Sequence, residues 1–210
     1  MPQRGTPVSD PARDLDSAVQ RMLTGDEAAF RTVYRVVQPP LLRYLAVIVG
    51  TDDADDVASE TWGQAFRDLG TFSGDADGFR GWITTIGRHR ALDHVRRQSR
   101  RPQSVLEISE IPEPPDPRSV EGSALAGMST RAVLDLLRRL PRDQAEAVML
   151  RAIMGFDAVT AARILGKRPG AVRTASYRGL KRLAAEIGGP RPGVDDQRRV
   201  TLPPRAALSE

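Results

Sequence analysis

The sequence predicts an all-α fold of two small helical domains joined by an extended acidic linker, the second domain being a helix-turn-helix. Apolar residues recur at intervals of three, four and seven, the spacing of one helix face, through residues 14–101 and again through 129–187. Residues 102–128 break this pattern and combine five prolines with several acids. At 210 residues the chain has room for two such domains. We expect residues 1–13 and 188–210, which are rich in proline and glycine, to be disordered.

Composition narrows the functional class. No apolar run approaches the ~20 residues of a membrane helix, and the N-terminus has no apolar signal-peptide core, so we expect a cytoplasmic protein without membrane insertion. The chain contains no cysteine, and His89 and His94 do not share a helix face, so we expect no metal site. We also expect no cofactor and no enzymatic activity, because no nucleophile, base and orienting group can be assembled from these residues.

Three helices are predicted before residue 50, the first beginning near Leu15 and interrupted by Gly25. Asp26 is a suitable N-cap for the helix that follows it. We expect Pro39 and Pro40 to end that helix, because neither can donate a backbone hydrogen bond. Each also restricts the backbone conformation of the residue before it. A separate, mostly buried helix is predicted over residues 41–49, closed by Gly50.

An acidic helix follows. We expect Asp52 or Asp53 to cap it, and acids in its first turn suit the positive end of the helix dipole. Glu60 lies two turns further on, where the dipole does not explain it, so a binding partner is the better interpretation. The predicted packed stripe consists of Ala58, Thr61, Trp62, Ala65, Phe66 and Leu69.

The next helix, predicted over residues 79–101, is strongly basic, with seven arginines and one acid, Asp93. Its apolar stripe includes Trp82, so one face packs while another is cationic. Guanidinium groups match phosphate oxygens and rings can stack on bases, which favours nucleic-acid binding. The alternative is a solvated basic helix with Trp82 in the core. We expect Asp93 to pair with a nearby arginine rather than to contact DNA.

The second block ends in a short helix, a glycine turn and a longer basic helix, which is helix-turn-helix order. Asp157 is predicted to cap the short helix, Gly166 to form the turn, and Pro169 to occupy the first position of the last helix. Its inward-facing residues are predicted to be Val172, Ser176, Leu180 and Leu183. The residues predicted to face outward are Arg168, just before the helix, and Arg173, Thr174, Tyr177, Arg178 and Lys181. Such a helix can read base edges from the major groove.

Four motifs in this order resemble the extracytoplasmic-function (ECF) subfamily of bacterial RNA polymerase sigma factors. They are DDADDVASETWGQAF, FRGWITTIGRHRALDHVRRQSRR, LRRLPRDQAEAVMLRAIMGF and KRPGAVRTASYRGLKRL. The resemblance covers roughly residues 15–187 and implies a sigma region 2-like domain over 14–101 and a region 4-like domain over 129–187. This sequence departs from the family pattern at Ser59, His89, Ala171 and Ala175.

The resemblance also implies a role for each charged segment. The residues that would bind the clamp helices of the polymerase's largest subunit are Asp53, Asp55, Asp56 and Glu60. Those that would melt and read the proximal promoter element are Trp82, Arg88, His89, Arg90, Arg96, Arg97, Arg100 and Arg101. The outward-facing residues of the last helix would read the distal element. In the linker, four acids would imitate the charge of RNA in the polymerase channel: Glu107, Glu110, Glu113 and Asp116. The alternative is that the linker is a passive spacer.

The function implied is binding of core polymerase and promoter-specific initiation of transcription, with core polymerase and promoter DNA as partners. An anti-sigma protein is a further candidate partner, because many family members are held inactive by one. Two alternatives stay open at this stage. One is a conventional helix-turn-helix regulator of duplex operators; the other is a degenerate sigma-like module that binds polymerase or anti-sigma without reading DNA.

Overall fold

The computed structural model describes residues 11–100 and 130–188, and in these ranges the chain is helical with no strand, which confirms the predicted all-α class. The helices are α1 (Pro11–Leu23), α2 (Glu27–Val49), α3 (Thr51–Asp68), α4 (Ala76–Arg100), α5 (Thr130–Arg139), α6 (Arg142–Val148), α7 (Ala158–Leu165) and α8 (Pro169–Gly188). A 3₁₀ turn, Leu69–Thr71, follows α3, and a π-helical turn, Met149–Ile153, follows α6. Arg101 and the acidic residues predicted to lie in the linker fall outside the described ranges.

The prediction that Pro39 and Pro40 end a helix is wrong. Helix α2 continues through both prolines, so the segment over 41–49 is its second half and not a separate helix. The apolar residues Val37 and Leu41 on either side of the prolines are buried, with 4% and 0% of their surface exposed. Burial of this continuous stripe offsets the backbone hydrogen bonds that the prolines remove.

The helix ends agree with the predicted caps at α2 but not at α3. The Asp26 side chain accepts a hydrogen bond from the Ala29 amide at 3.0 Å, which confirms it as the N-cap of α2. Gly50, at φ 95°, closes α2 and immediately precedes α3, leaving no room for an aspartate cap. Asp52 and Asp53 therefore lie inside the first turn of α3, and the expectation that one of them caps the helix is wrong.

Helices α1 to α4 form the first domain around a core that α2, α3 and α4 share. Gly87 of α4 allows the closest approach, because a Cβ there would lie 3.2 Å from Leu41, 3.3 Å from Leu45 and 3.4 Å from Thr61. Phe66, predicted to belong to the packed stripe of α3, is instead 60% exposed. It lies at the edge of that stripe, with its ring 5.2 Å from that of Phe30 on α2.

Helices α5 to α8 form the second domain, with the predicted helix-turn-helix in α7 and α8. Asp157 caps α7 by accepting from the Thr160 amide at 2.7 Å, and Gly166 turns the chain at φ 64°. Leu180, predicted to face inward, is 45% exposed. Gly179 takes the inner position, because α8 approaches α6 so closely that a Cβ on Gly179 would meet Val148 Cγ2 at 2.7 Å.

The two domains also pack directly against each other. Helices α5 and α6 lie on α2, and α7 lies on α4, so the buried residues of both domains form one continuous apolar cluster. The contact between α4 and α7 is close, since a Cβ on Gly81 would lie 3.3 Å from Thr160 Cγ2. Over residues 11–100 and 130–188, no helix combines the length and apolar character needed to cross a membrane.

Candidate nucleic-acid interface

Most arginines of α4 are bonded within the protein. Arg90 donates through Nη2 to Gln64 Oε1 on α3 at 2.6 Å. Arg96 donates to Asp93 Oδ1 at 3.1 Å, which confirms the expectation that Asp93 pairs with a nearby arginine. Arg100 is exposed at the end of the helix. The basic helix is therefore positioned by its own polar contacts as well as by its apolar stripe.

Trp82 lies half-buried in an aromatic cluster. Its ring centroid is 5.2 Å from that of Phe72 and 5.7 Å from that of Phe79. These contacts give Trp82 a packing role in the first domain while part of the ring remains accessible. His89, about two turns beyond Trp82 along α4, is exposed.

Two of the four acids predicted to bind a partner face α4. Asp53 Oδ2 accepts from Gln98 at 3.2 Å and lies 3.2 Å from His94 Nε2. The His94 contact lacks hydrogen-bond geometry, so the two side chains lie close together without a hydrogen bond. Glu60 Oε2 lies 3.6 Å from Arg97 Nη2. The acidic and basic helices thus neutralise part of each other's charge.

Asp55 and Asp56 differ from these two acids. Both are exposed, and neither makes an ion pair or side-chain hydrogen bond within the part of the chain that the structure describes. The exposed ring of Phe66 lies on the same helix, 5.2 Å from the ring of Phe30. Helix α3 thus presents unpaired carboxylates and the exposed ring of Phe66. The sequence predicted this ring to belong to the packed stripe of the helix.

The most buried charge in the site is Glu146, which the sequence analysis missed. Its side chain is 2% exposed and accepts from Tyr44 Oη at 3.0 Å, Arg88 Nε at 2.6 Å and Arg142 Nε at 3.0 Å. Burial, reinforced by the charge of Glu146, raises the pKa of Tyr44 well above its ordinary value. Burial alone would lower the pKa of Arg88, but its hydrogen bond to Glu146 and the negative charge there outweigh this and raise the pKa.

Sequence alone gave one local signal for this cluster: Arg142 and Glu146 are four residues apart on a helix, a spacing that allows an ion pair. Tyr44 and Arg88 are far from Glu146 in sequence, and only the packing of the two domains brings them together.

A cleft of about 360 Å³ opens beside the Glu146 cluster, between α4 and the second domain. Lys167 Nζ donates to Asp143 Oδ2 at 3.2 Å at its edge. This hydrogen bond lowers the pKa of Asp143. Among the residues described, no group of histidine and carboxylate side chains could hold a metal ion.

Helix α8 presents its polar residues to solvent as predicted. The exposed residues are Arg168, just before α8, and Arg173, Thr174, Tyr177, Arg178 and Lys181 on it. Tyr177 is 68% exposed, and the Thr174 hydroxyl donates to the Gly170 carbonyl. Within the described ranges, the four cations of this set make no ion pair. The face of α8 is therefore free to contact a polyanion.

Comparisons with known proteins match both domains of the chain. The Sigma-70 region 2 family model matches residues 33–101, and the Sigma-70 region 4 model matches residues 130–183. The chain is 35% identical over 184 residues to the ECF RNA polymerase sigma factor BldN of Streptomyces coelicolor, covering 83% of this chain and 68% of that protein. It is 30% identical over 184 residues to ECF sigma factor SigD of Mycobacterium tuberculosis, covering 82% of this chain and 84% of SigD.

Two solved structures share the fold. The sigma factor RpoE from Bartonella quintana, co-crystallised with the anti-sigma factor NepR, aligns with a TM-score of 0.62 at 23% identity, over 77% of this chain and 98% of that one. CnrH, solved with the cytosolic domain of CnrY, aligns with a TM-score of 0.59 at 23% identity, over 85% of this chain and 99% of that one. At this level of identity the two structures support the fold.

Proposed function

Because the chain belongs to the ECF sigma factors of bacterial RNA polymerase and so directs transcription initiation at promoters, we propose that its residues divide this work by charge. Carboxylates of α3 bind core polymerase, the cationic face of α4 binds the separated strand of the proximal promoter element, and α8 reads the distal element. The observation that carries the proposal is the exposure of Asp55 and Asp56 on one helix and of unpaired cations on α8.

For core polymerase, we propose the clamp helices of the largest subunit as the surface that Asp55 and Asp56 meet. Asp53 and Glu60 are also in reach of a partner, with 32% and 46% of their side chains exposed, but each shares its charge with α4. Phe66, about three turns further along α3, adds an exposed apolar contact. Polymerase binding at α3 is therefore coupled to the position of the DNA-binding helix.

For promoter DNA, arginines of α4 would bind phosphates, and Trp82 and His89 would lie near the separated strand. Arg168, Arg173, Thr174 and Arg178 would supply most of the readout of the distal duplex. Opening DNA costs a few kcal/mol of unstacking, which contacts to the separated strand must offset. We assign the chain no reaction of its own and place it in the bacterial cytoplasm with the polymerase it serves.

The test of the function is run-off transcription with core polymerase on a genomic promoter library. Promoter-specific transcripts that depend on the added chain support the proposal. A conventional helix-turn-helix regulator would bind duplex DNA without stimulating core polymerase, and a degenerate sigma-like module would bind polymerase without promoter-specific transcripts.

The test of the polymerase surface is charge reversal. In Asp55→Lys/Asp56→Lys we expect association with core polymerase to fall at least about tenfold, because two complementary contacts become repulsive. The matched control is Asp135→Lys/Glu186→Lys, which makes the same change in net charge at two exposed acids of the second domain. Equal association of both variants would contradict the assignment.

A further inference from the structure

A neutral side chain, Gln64, joins α3 to the basic helix α4. Gln64 Oε1 accepts from Arg90 Nη2 at 2.6 Å and from Arg67 Nη2 at 2.9 Å. Gln64 Nε2 donates to Asp68 Oδ2, which orients the amide so that its oxygen faces the two arginines. One carbonyl oxygen therefore holds two guanidinium groups, one from each helix.

Arg90 differs from its neighbours on α4 because its partner is uncharged. The other arginines of α4 before Arg100 each pair with a carboxylate: Arg80 with Asp77, Arg88 with Glu146, Arg96 with Asp93 and Arg97 with Glu60. Within the described ranges, neither Arg90 nor Arg67 forms an ion pair. No paired carboxylate therefore offsets the two positive charges beside Gln64.

The two guanidinium groups are close enough to bind one anion together. Their bonds to Gln64 put the Nη2 atoms of Arg67 and Arg90 within about 5.5 Å of each other. Each guanidinium has five N–H donors, of which the contact with Gln64 uses one. Phosphate oxygens accept from such donors at about 2.7–2.9 Å, so one phosphate group can bridge the pair. An anion there would also offset the repulsion between the two like charges.

The arginine pair lies on the side of α4 that carries Trp82. Trp82 packs on Phe72, just after α3, and Arg90 binds Gln64 near the end of α3. The two residues of α4 are eight positions apart, about 12 Å along the helix axis. A single strand with a base near Trp82 can therefore place a phosphate of a nearby nucleotide at the arginine pair.

We propose that Arg67 and Arg90, held together by Gln64, bind one phosphate of the separated promoter strand. The proposal rests on the proposed role of α4 in binding that strand, and it adds a residue of α3 to the DNA contact. Helix α3 then binds two partners, with carboxylates in its first half and Arg67 in its last turn. Gln64 positions both arginines without competing for the phosphate, because it carries no negative charge.

The test uses the holoenzyme formed from core polymerase and the full-length chain. The probe is a labelled single-stranded oligonucleotide of the proximal element, taken from a promoter that run-off transcription identifies. In Arg67→Ala we expect the dissociation constant to rise at least about threefold at fixed salt. The slope of log K against log salt should become shallower by about 0.7, the value for one phosphate contact on a single strand. Fluorescence anisotropy measures both.

The matched control is Arg35→Ala, which removes the same charge from an exposed arginine of α2 that has no ion pair within the described residues. An equal loss in both variants would overturn the proposal, because only net charge would then matter. Association with core polymerase is measured alongside. If Arg67→Ala weakens that association and leaves strand binding unchanged, Arg67 contacts protein and the proposal is wrong.

A double-mutant cycle tests whether the two arginines share one phosphate. We expect Arg67→Ala/Arg90→Ala to lose less affinity than the product of the two single losses, because either guanidinium alone binds the phosphate less well. Independent losses would assign the arginines to separate phosphates and overturn the shared site. Gln64→Leu, which leaves net charge unchanged, should also weaken strand binding, and it should reduce the effect of Arg67→Ala.

Two further results separate the possible explanations. Titration with inorganic phosphate shows whether the pair takes a free anion; phosphate binding through Arg67 with unchanged strand binding would overturn the proposal. If the wild-type holoenzyme gives promoter-specific transcripts but Arg67→Ala binds the strand as wild type does, this inference alone fails. If the wild-type holoenzyme does not bind the strand, the proposed function of α4 fails and the phosphate site with it. Circular dichroism establishes that each variant retains its helices.

Discussion

The two basic helices, α4 and α8, hold their cationic side chains in opposite ways. On α4, protein groups accept from Arg88, Arg90 and Arg96, and Glu60 pairs with Arg97. On α8, the exposed cations form no ion pair within the described residues. The sequence does not distinguish the cations of α4 from those of α8 as candidate DNA contacts. The structure does, because most arginines of α4 already have protein partners.

This difference separates two kinds of DNA contact. A free cation at the surface gains directly from a phosphate or a guanine, because nothing else has to be given up. A paired arginine exchanges one acceptor for another, so its net gain is the difference between two similar interactions. We therefore expect α8 to bind duplex DNA at once and α4 to require release of its protein partners.

The largest expected effect comes from breaking the support of α8. In Gly179→Val the new side chain would overlap Val148, which lies 2.7 Å from the Cβ position, so we expect about 3 kcal/mol of destabilisation and loss of distal-element binding. Thermal unfolding and fluorescence anisotropy measure the two effects. Gly170→Ala, on the same helix with no atom within 4 Å of its Cβ position, should change stability by no more than about 1 kcal/mol. Equal stability of both variants would contradict the packing.

Removal of a free cation should show the difference between the helices. We expect Arg173→Ala to weaken binding to a distal-element duplex by about 1–3 kcal/mol, because Arg173 lies in the N-terminal half of α8, where such helices read bases. Arg96→Ala on α4 should leave that binding nearly unchanged. An equal loss on a random duplex of the same length would show that Arg173 binds phosphate only. Anisotropy at fixed salt is the measurement.

A smaller effect, on the stability of the fold, is expected at acidic pH. The backbone hydrogen bond from Thr160 lowers the pKa of Asp157, and the hydrogen bond from Lys167 lowers the pKa of Asp143. A carboxyl with a lowered folded-state pKa stabilises the fold above its unfolded pKa, and this contribution is lost as pH falls through the folded value. We therefore expect the Tm of wild type to exceed that of Asp157→Ala at pH 7. The difference in Tm should narrow below about pH 4. A pH-independent difference would exclude ionisation as its cause.

The smallest effect concerns a single phosphate contact. Lys181→Ala should reduce the slope of log K against log salt by about 0.9 on duplex DNA. Arg31→Ala is the control, because Arg31 pairs with Glu27 on α2, away from α8. Titration between low and moderate salt gives both slopes, and equal slopes would place Lys181 outside the DNA contact.

The features that sequence predicted best depend on near neighbours along the chain. Asp26 and Asp157 cap their helices, and Arg96 pairs with Asp93, because partners within four residues meet whatever the rest of the fold does. Outward-facing Arg173 and Arg178 followed from helical periodicity in the same way.

The features that sequence missed depend on distant parts of the chain. Pro39 and Pro40 obey a local rule that the packing of α2 overrides. Glu146 resembles a surface acid in its motif, and its burial requires α2 and α4 to meet α6. Leu180 is exposed because Gly179 lets α8 approach α6 on the neighbouring position.

The two prolines inside α2 leave two backbone carbonyl oxygens of the helix without a hydrogen-bond donor. Because a proline nitrogen carries no hydrogen, the carbonyl oxygens of Arg35 and Val36, four residues earlier, have no helical donor. Both residues are exposed, so water can solvate these oxygens. Any protein that covers this side of α2 must donate hydrogen bonds to the two oxygens or leave their hydration in place. A purely apolar surface would therefore bind poorly there.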